Sequence, residues 1–479
     1  MSAKVNLETQ AVPESVLNAR LRREDWRFLL AGGDVDEVLE VDGTTVRELR
    51  RAREKLVPGG AVLCRWRYPL PGGAQLLRRR LRRAGFGRVR LYWAGPLPRG
   101  LPQFWLSLDS PPAARHLSAT RRAAGLARRG LRLVWEAARR GGALAPLYAI
   151  ATADAEEPED ELAAVLPSDP RWLLLTGGHR SVNKIVGLPF GGDGEEPRLV
   201  VKFSRVPESD AALEREAAAL EAIAERRPRL AGIPRLLARS HRNGRVCVAE
   251  SRIDGRPLIE RLDATTLPEH SRTLTAWLLE LAAEPQHHPR DEWWARLVGE
   301  PLSAFEGQFG EVLGAEPMRR LGLELQGLGD LPLVCEHRDC SPWNVVLSGS
   351  GIALLDWESA EPLGLPGTDL VYFLANAAFQ VEGALVDGAY DPAPTRASYA
   401  RLLDDSTPHG GVFTSCLGEY GRRLGLDAGT LRRLRLLCWV VHCRAQYRHL
   451  EMEAGAPPSP ADLAESAFLG LVRVELEAA

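Results

Sequence analysis

The sequence predicts an open α/β sheet, then an α+β region that closes in a helical lobe. The first observation is alternation. Between Asp36 and Ala153, short apolar runs alternate with helical stretches, as in an open sheet flanked by helices. The second is a compositional break at Asp154-Ala155-Glu156-Glu157-Pro158-Glu159-Asp160-Glu161, where the charge changes sign. The third is that apolar residues beyond about 256 recur mostly at helical spacing. At 479 residues the chain exceeds one ordinary domain. The expected division is an α/β domain over 1–155, an acidic linker over 156–164, a strand-rich lobe over 165–255 and a helical lobe over 256–479.

In the first region Val38-Leu39 begins a short strand. Thr44 to Leu56 reads as a helix that Val57-Pro58-Gly59-Gly60 ends. Ala61 to Trp66 is a strand, Ala74 to Ala84 a helix, and Gly85-Phe86-Gly87 its stop. Val89 to Trp93, Phe104 to Leu108 and Leu147 to Ala151 are further strands. Beyond the acidic stretch come strands at Trp172–Leu175, Val182–Gly187, Leu199–Phe203 and Val246–Glu250, with a helix from Glu208 to Glu225. Helical spacing then marks Leu274–Ala283, Trp293–Leu302, Met318–Leu328, Leu370–Ala378 and Leu431–Glu451.

The chemistry concentrates between Leu333 and Leu370. His337-Arg338-Asp339 opens this stretch, Asn344 follows five residues after Asp339, and Asp356 follows twelve after Asn344. Apolar runs at Leu333–Cys335, Val345–Leu347 and Ile352–Leu355 read as short strands, with a turn at Ser348–Gly351. The strands are short enough to leave Asp339, Asn344 and Asp356 at loop ends. Two carboxylates and an amide oxygen there suit Mg2+ carrying a nucleotide. Asp339 is placed to take the proton of an attacking hydroxyl, with Asn344 and Asp356 as metal ligands. Singly, each of these residues is ordinary in a turn; the ordered set is what points to phosphoryl transfer.

H-x-D-x-x-x-x-N followed by an apolar strand ending in Asp resembles the catalytic and metal loops of kinases. More narrowly, His337-Arg338-Asp339-Cys340-Ser341-Pro342-Trp343-Asn344, Asp356-Trp357-Glu358 and Gly364-Leu365-Pro366-Gly367-Thr368-Asp369-Leu370 resemble the aminoglycoside phosphotransferase and choline kinase-like family. The D-F-G of protein kinases is missing from both. The resemblance implies a two-lobed protein-kinase-like fold over 165–479 and transfer of a γ-phosphoryl group from ATP to an acceptor hydroxyl. It also implies that Gly177 and Gly178 lie against phosphates and that Lys202 reaches the α- and β-phosphates. Glu214 and Glu216 are both candidates to hold Lys202; Glu216, four residues before Leu220, fits the family's E-x-x-x-L. Adenine would meet backbone groups near Glu250 and Arg252. Asp369 is expected to brace the catalytic loop. Acceptor-side acids include Glu358, Glu361, Asp387, Asp404 and Asp405, each of which also reads as a solvated surface residue.

The order helix, Pro-Gly-Gly, strand, helix, Ala-Gly-Phe, strand resembles the second half of class I methyltransferases, so the first region is expected to be a partial methyltransferase-like sheet. Ala31-Gly32-Gly33-Asp34 lacks the strand-to-helix context of a cofactor turn, which makes a truncated, non-catalytic domain the expectation. The alternatives are a nucleotide-binding pseudokinase scaffold and a bifunctional kinase–methyltransferase.

Net charge is −2, but residues 1–150 hold 28 Lys+Arg against 13 Asp+Glu and the remainder holds 33 against 50. The acidic remainder suits a cationic small-molecule acceptor. Arg121, Arg128, Arg132 and Arg139 share a face of an Arg-rich segment over 115–140. That face reads either as solvated charge on a packed helix or as a surface for an anionic membrane; no nucleic acid is expected. The first fifteen residues lack the apolar core of a secretory leader and the seven cysteines are scattered. Both features point to a cytoplasmic protein, peripheral to the membrane if the Arg face binds lipid.

Overall fold

The fold comes from a computed structural model. It describes residues 29–30, 38–42, 44–66, 72–95, 103–120, 147–153, 160–176, 184–191, 196–205, 207–349, 351–386, 389–454 and 456–478. The described residues divide into two compact units. One takes those from Leu29 to Ala217 together with Arg235–Arg252; the other takes 218–234 and those from Ile253 onward.

The first unit is built on a sheet of ten strands: β1 Val38–Val41, β2 Ala61–Trp66, β3 Arg88–Gly95, β4 Phe104–Ser107, β5 Leu147–Thr152, β6 Arg171–Leu175, β7 Ile185–Phe190, β8 Leu199–Phe203, β9 Leu236–Arg242 and β10 Arg245–Ser251. Their order is β1-β2-β5-β3-β4-β6-β7-β8-β10-β9. β1 and β2 are parallel, joined by the helix Val46–Lys55, and every other pairing is antiparallel. That helix starts on a capping box in which Thr45 and Glu48 satisfy each other's backbone N–H groups.

The sheet runs through the expected boundary at 156–164. β4 pairs with β6 in the register Phe104↔Leu175, Trp105↔Leu174 and Leu106↔Leu173. The cores on the two faces run through as well. One holds Trp93, Phe104, Leu173 and Phe190; the other holds Trp105, Ile150, Trp172, Ile185 and Phe203. The physical reason is edge satisfaction: β4 and β6 each cover the other's unpaired backbone groups, which would otherwise template aggregation. Sequence patterning identifies strands but not partners across a gap. The described part of the acidic stretch is structured too. Asp160 caps a short helix, Glu161–Val165, and accepts two hydrogen bonds from Arg242 at 2.8 and 3.1 Å.

The second unit carries three-stranded and two-stranded sheets among its helices. β11 Arg256–Pro257, β14 Val345–Ser348 and β15 Gly351–Leu354 form one sheet, and β12 Gln286–His287, β13 Pro332–Glu336 and β16 Glu361–Gly364 another. The predicted turn between β14 and β15 is the observed hairpin, with Ser348 opposite Gly351. Gly232 (φ +88°) donates no side chain where Leu354 N–H reaches its carbonyl; a Cβ there would lie 2.2 Å from the Ile352 carbonyl oxygen. Twelve of the fourteen residues of the helix Thr368–Val381 are buried, so it forms the axis of this unit. The helix expected at Trp293–Leu302 is present and longer, with one irregularity: Arg290–Trp294 continues through a π-turn at Ala295–Gly299 into Glu300–Leu313. Pro301, which lacks an N–H donor, accounts for the irregular ladder.

All seven cysteines stand outside any disulfide, and all but Cys335 are buried. Among the described residues no helix is long and apolar enough to cross a membrane.

Candidate active site

In the second unit the loop after β13 is fixed from beneath by Asp369, at the start of the axial helix. Its Oδ2 accepts from the His337 N–H at 2.6 Å and its Oδ1 from the Arg338 N–H at 2.7 Å. Burial and the adjacent Glu336 push the Asp369 carboxyl up, while the two N–H donors and Arg338 pull against them. Glu336 is itself buried. It takes hydrogen bonds from Thr368, Arg338 Nε (3.0 Å) and the Leu365 N–H (3.3 Å). Arg338 sits in the left-handed region at φ +65°, a costly position for a residue with a Cβ. Held there, the chain reverses and Asp339 follows.

His337 orders the next step. Its Nδ1 accepts from the Asp339 N–H at 3.2 Å and its Nε2 lies 2.9 Å from the Leu355 carbonyl. A backbone N–H only donates and a carbonyl only accepts, so the ring is neutral with its proton on Nε2. The ring also meets Trp357 edge-on at 4.6 Å, and Trp357 Nε1 donates to the Leu354 carbonyl at 2.8 Å. One buried aromatic thus ties the loop bearing Asp339 to the turn bearing Asp356.

Asn344 Nδ2 donates to both the carbonyl and the Oδ2 of Asp339, each at 2.9 Å. Its two amide hydrogens are therefore committed to Asp339, and Oδ1 is the atom left for a cation. The Leu355 N–H donates to the Asn344 carbonyl at 2.9 Å, continuing the β14–β15 ladder by one pair. Asp356 follows at φ +62°, and the strand turns away there. Asn344 and Asp356 thus stand together at the end of one hairpin. Among the described residues no group of three or more His, Cys, Asp or Glu is placed to hold a metal. An amide oxygen and one carboxylate nevertheless fit Mg2+, which keeps waters and takes substrate phosphates as its remaining ligands.

In the first unit Lys202, on β8, is 4% exposed and bound by two carboxylates, Glu216 Oε1 and Glu250 Oε1, both at 2.6 Å. Glu216 is fully buried on the helix Asp210–Arg226. Of the two acids considered there, Glu214 turns instead to Arg239 and His241. Glu250 enters this cluster through its side chain; its backbone lies between β8 and β9. The Arg252 N–H is committed to the Arg198 carbonyl at 2.9 Å and its guanidinium to Glu196 and Pro197. Gly177 and Gly178 lie outside the described residues, as do Asp387, Ala31–Asp34 and the Arg face from Arg121 to Arg139. Glu361 pairs with Arg296 at 2.5 Å and Asp404 stabilises its own turn through Ser406, so both have structural work.

Sequence reading did not single out Lys184 or Glu336. Lys184 Nζ lies 3.2 Å from Glu216 Oε2. Its signal was available: it is one of only four lysines in the chain and stands two residues before Val186, which opposes Lys202.

The buried Lys202–Glu216 pair of the first unit and the Asp369-braced loop beside the Asn344–Asp356 hairpin of the second are the features that the resemblance to phosphotransferases leads one to expect. The model of the phosphotransferase enzyme family matches residues 190–402, a stretch that runs from β7 to the helix Pro392–Leu402 and takes in Lys202, Glu216, Asp339, Asn344 and Asp356. No curated protein matches the sequence. Among solved structures it is similar to a thermostable mutant of aminoglycoside phosphotransferase APH(4)-Ia in ternary complex with ADP and hygromycin B (14% identity, 65% of this chain, 95% of that one, TM-score 0.39). It is also similar to aminoglycoside phosphotransferase APH(3'')-Id from Streptomyces rimosus in complex with ADP and streptomycin (18%, 56% and 92%, 0.34). A third similar structure is a choline/ethanolamine kinase family protein from Mesorhizobium loti (14%, 66% and 94%, 0.36). The assignment rests on the family match and on this chain's own residues.

Proposed function

We propose that the protein transfers the γ-phosphoryl group of ATP to a hydroxyl of a small-molecule acceptor. The observation that carries this reading is the commitment of both Asn344 amide hydrogens to Asp339 beside Asp356, which sets a base and two metal-compatible oxygens on one hairpin and loop. Asp339 orients the acceptor hydroxyl and takes its proton. Asn344 holds that carboxylate in place, and His337 and Asp369 fix the backbone that carries it. Mg2+ bound by Asn344 Oδ1 and Asp356 would neutralise charge on the phosphates. Lys202, kept in place by Glu216 and Glu250, supplies the positive charge of the other unit, and Gly177 and Gly178 supply backbone N–H groups. Little covalent work falls to the protein in such a reaction; positioning and electrostatics supply the rate.

The acceptor is cationic in this reading. Beyond residue 150 the chain holds 33 Lys+Arg against 50 Asp+Glu, which concentrates a positively charged amino sugar or amino alcohol. Residues 1–155 act as a non-catalytic part, and their Arg-rich 115–140 segment meets an anionic membrane surface. The test is a screen of amino sugars, sugars, amino alcohols and lipid-linked alcohols with Mg2+ and radiolabelled ATP. Label transfer to a cationic acceptor is expected. ATP binding without transfer to any acceptor would favour a pseudokinase scaffold.

A further inference from the structure

Two of the four lysines in this chain meet on one carboxylate. Glu216 holds Lys202 through Oε1 at 2.6 Å and Lys184 through Oε2 at 3.2 Å. The sheet register puts both on one face: Val186 is opposite Lys202, and Lys184, two residues earlier, points the same way. Glu250 completes an alternating chain Lys184–Glu216–Lys202–Glu250, with Lys202 5% exposed by its side chain and Lys184 13%.

Composition argues against a purely structural role for Lys184. The chain holds 61 Lys+Arg, of which only Lys4, Lys55, Lys184 and Lys202 are lysine. Two other buried carboxylates of this protein are paired by arginine: Arg435 pairs Glu475 and Arg338 pairs Glu336. An arginine fork would serve a static ion pair better, because it is preorganised and weakly hydrated. A compact ammonium with rotatable donors suits a site where the cation must leave one anion partly for another, as on a phosphate.

We infer that Lys184 is a second triphosphate-binding lysine, held ready by Glu216 on the same sheet face as Lys202. The inference deepens the phosphotransferase reading and rests on it. Glu216 and Glu250 together neutralise the pair in the free protein. When the nucleotide arrives, Lys184, the more accessible of the two, turns to a phosphate oxygen while Lys202 remains between its carboxylates.

The test is calorimetry on the full chain with Mg-ATP and with adenosine, for wild type, K184A, K184R and K184Q. Thermal unfolding checks that each variant is folded. K184A is expected to lose about tenfold to a hundredfold in Mg-ATP affinity, the scale of one charge-assisted hydrogen bond. Adenosine affinity stays within twofold, and K184R recovers part of the ATP affinity. Unchanged ATP affinity in folded K184A would overturn the inference, and so would parallel loss of ATP and adenosine. K184Q keeps a donor for Glu216 and answers the same question if K184A does not fold. Wild type that binds adenosine but gains nothing from the phosphates would overturn the Lys184 role alone. Wild type that binds neither would overturn the phosphotransferase reading with it.

Discussion

The two halves of the proposed machinery, one in each unit of the chain, are built in opposite ways. The Asp339–Asp356 half lies within eighteen consecutive residues and was written almost entirely as one motif. The lysine half draws Lys202 and Glu250 from two strands, Glu216 from a helix and Lys184 from the position just before β7. The first half is held by backbone: Asp369 takes two N–H groups, His337 a third, and Asn344 grips Asp339. The second is held by charge, with two ammonium groups alternating with two buried carboxylates. The comparison teaches where rigidity is placed. The group to which the proposed reaction assigns the proton sits on hydrogen-bonded backbone, whereas the groups proposed to accommodate a mobile polyanion are held by side chains.

The largest expected effect breaks the lysine half by removing its neighbours. Deleting residues 1–155 strips β4 from β6 and opens both cores at Leu173, Trp172 and Phe190. The remaining chain is expected to aggregate on expression. A soluble 156–479 fragment with one cooperative transition would show that the N-terminal strands are dispensable.

Next comes the backbone-held half. D369A leaves the His337 and Arg338 N–H groups without their acceptor in a buried place, at roughly 1–3 kcal/mol each. Urea unfolding measures the loss. A change below half a kcal/mol, about the effect of a neutral surface substitution, would mean that the loop does not depend on Asp369. D356A touches the same half more gently. It is expected to weaken Mg-ATP binding about tenfold or more and to leave metal-free ATP nearly unaffected. Equal affinities with Mg2+ would place the metal elsewhere.

How much of this was legible follows the same division. Strand, turn and helix around 333–370 were readable because their partners are local; the β14–β15 hairpin and the Asp339, Asn344 and Asp356 positions needed only spacing. Glu216 was separable from Glu214 by family pattern alone, and its burial is what gives the reason. Lys184 was missed because its meaning depends on the β7–β8 register, which no single-strand pattern encodes. The continuity of the sheet from β4 to β6 was missed for the same reason. Glu250 was expected to act through its backbone; only the fold shows that its carboxylate reaches Lys202.

A smaller effect concerns His442, which stacks on Tyr372 at 3.7 Å and 6°. Burial, helped by the charge of Arg338, lowers its pKa from 6.5 to about 3. The folded protein thus keeps this ring neutral at pH values where the unfolded chain protonates it. The stability this group contributes is complete above about pH 6.5 and declines as pH falls towards 3, with a slope up to about 1.4 kcal/mol per pH unit. H442F keeps a ring against Tyr372 and should flatten the slope between pH 6 and pH 4. An identical slope in wild type and variant would assign the acid sensitivity to other groups.

The central claim is that Asp339 is the base of a phosphoryl transfer, and D339N tests it most directly. The substitution keeps the shape and removes the proton acceptor without removing Asn344 or Asp356. With the acceptor found by the screen, single-turnover transfer from radiolabelled Mg-ATP should fall on the order of 10²–10⁴-fold, while Mg-ATP affinity stays within about threefold, under 0.7 kcal/mol. Transfer at the wild-type rate in D339N would contradict the account.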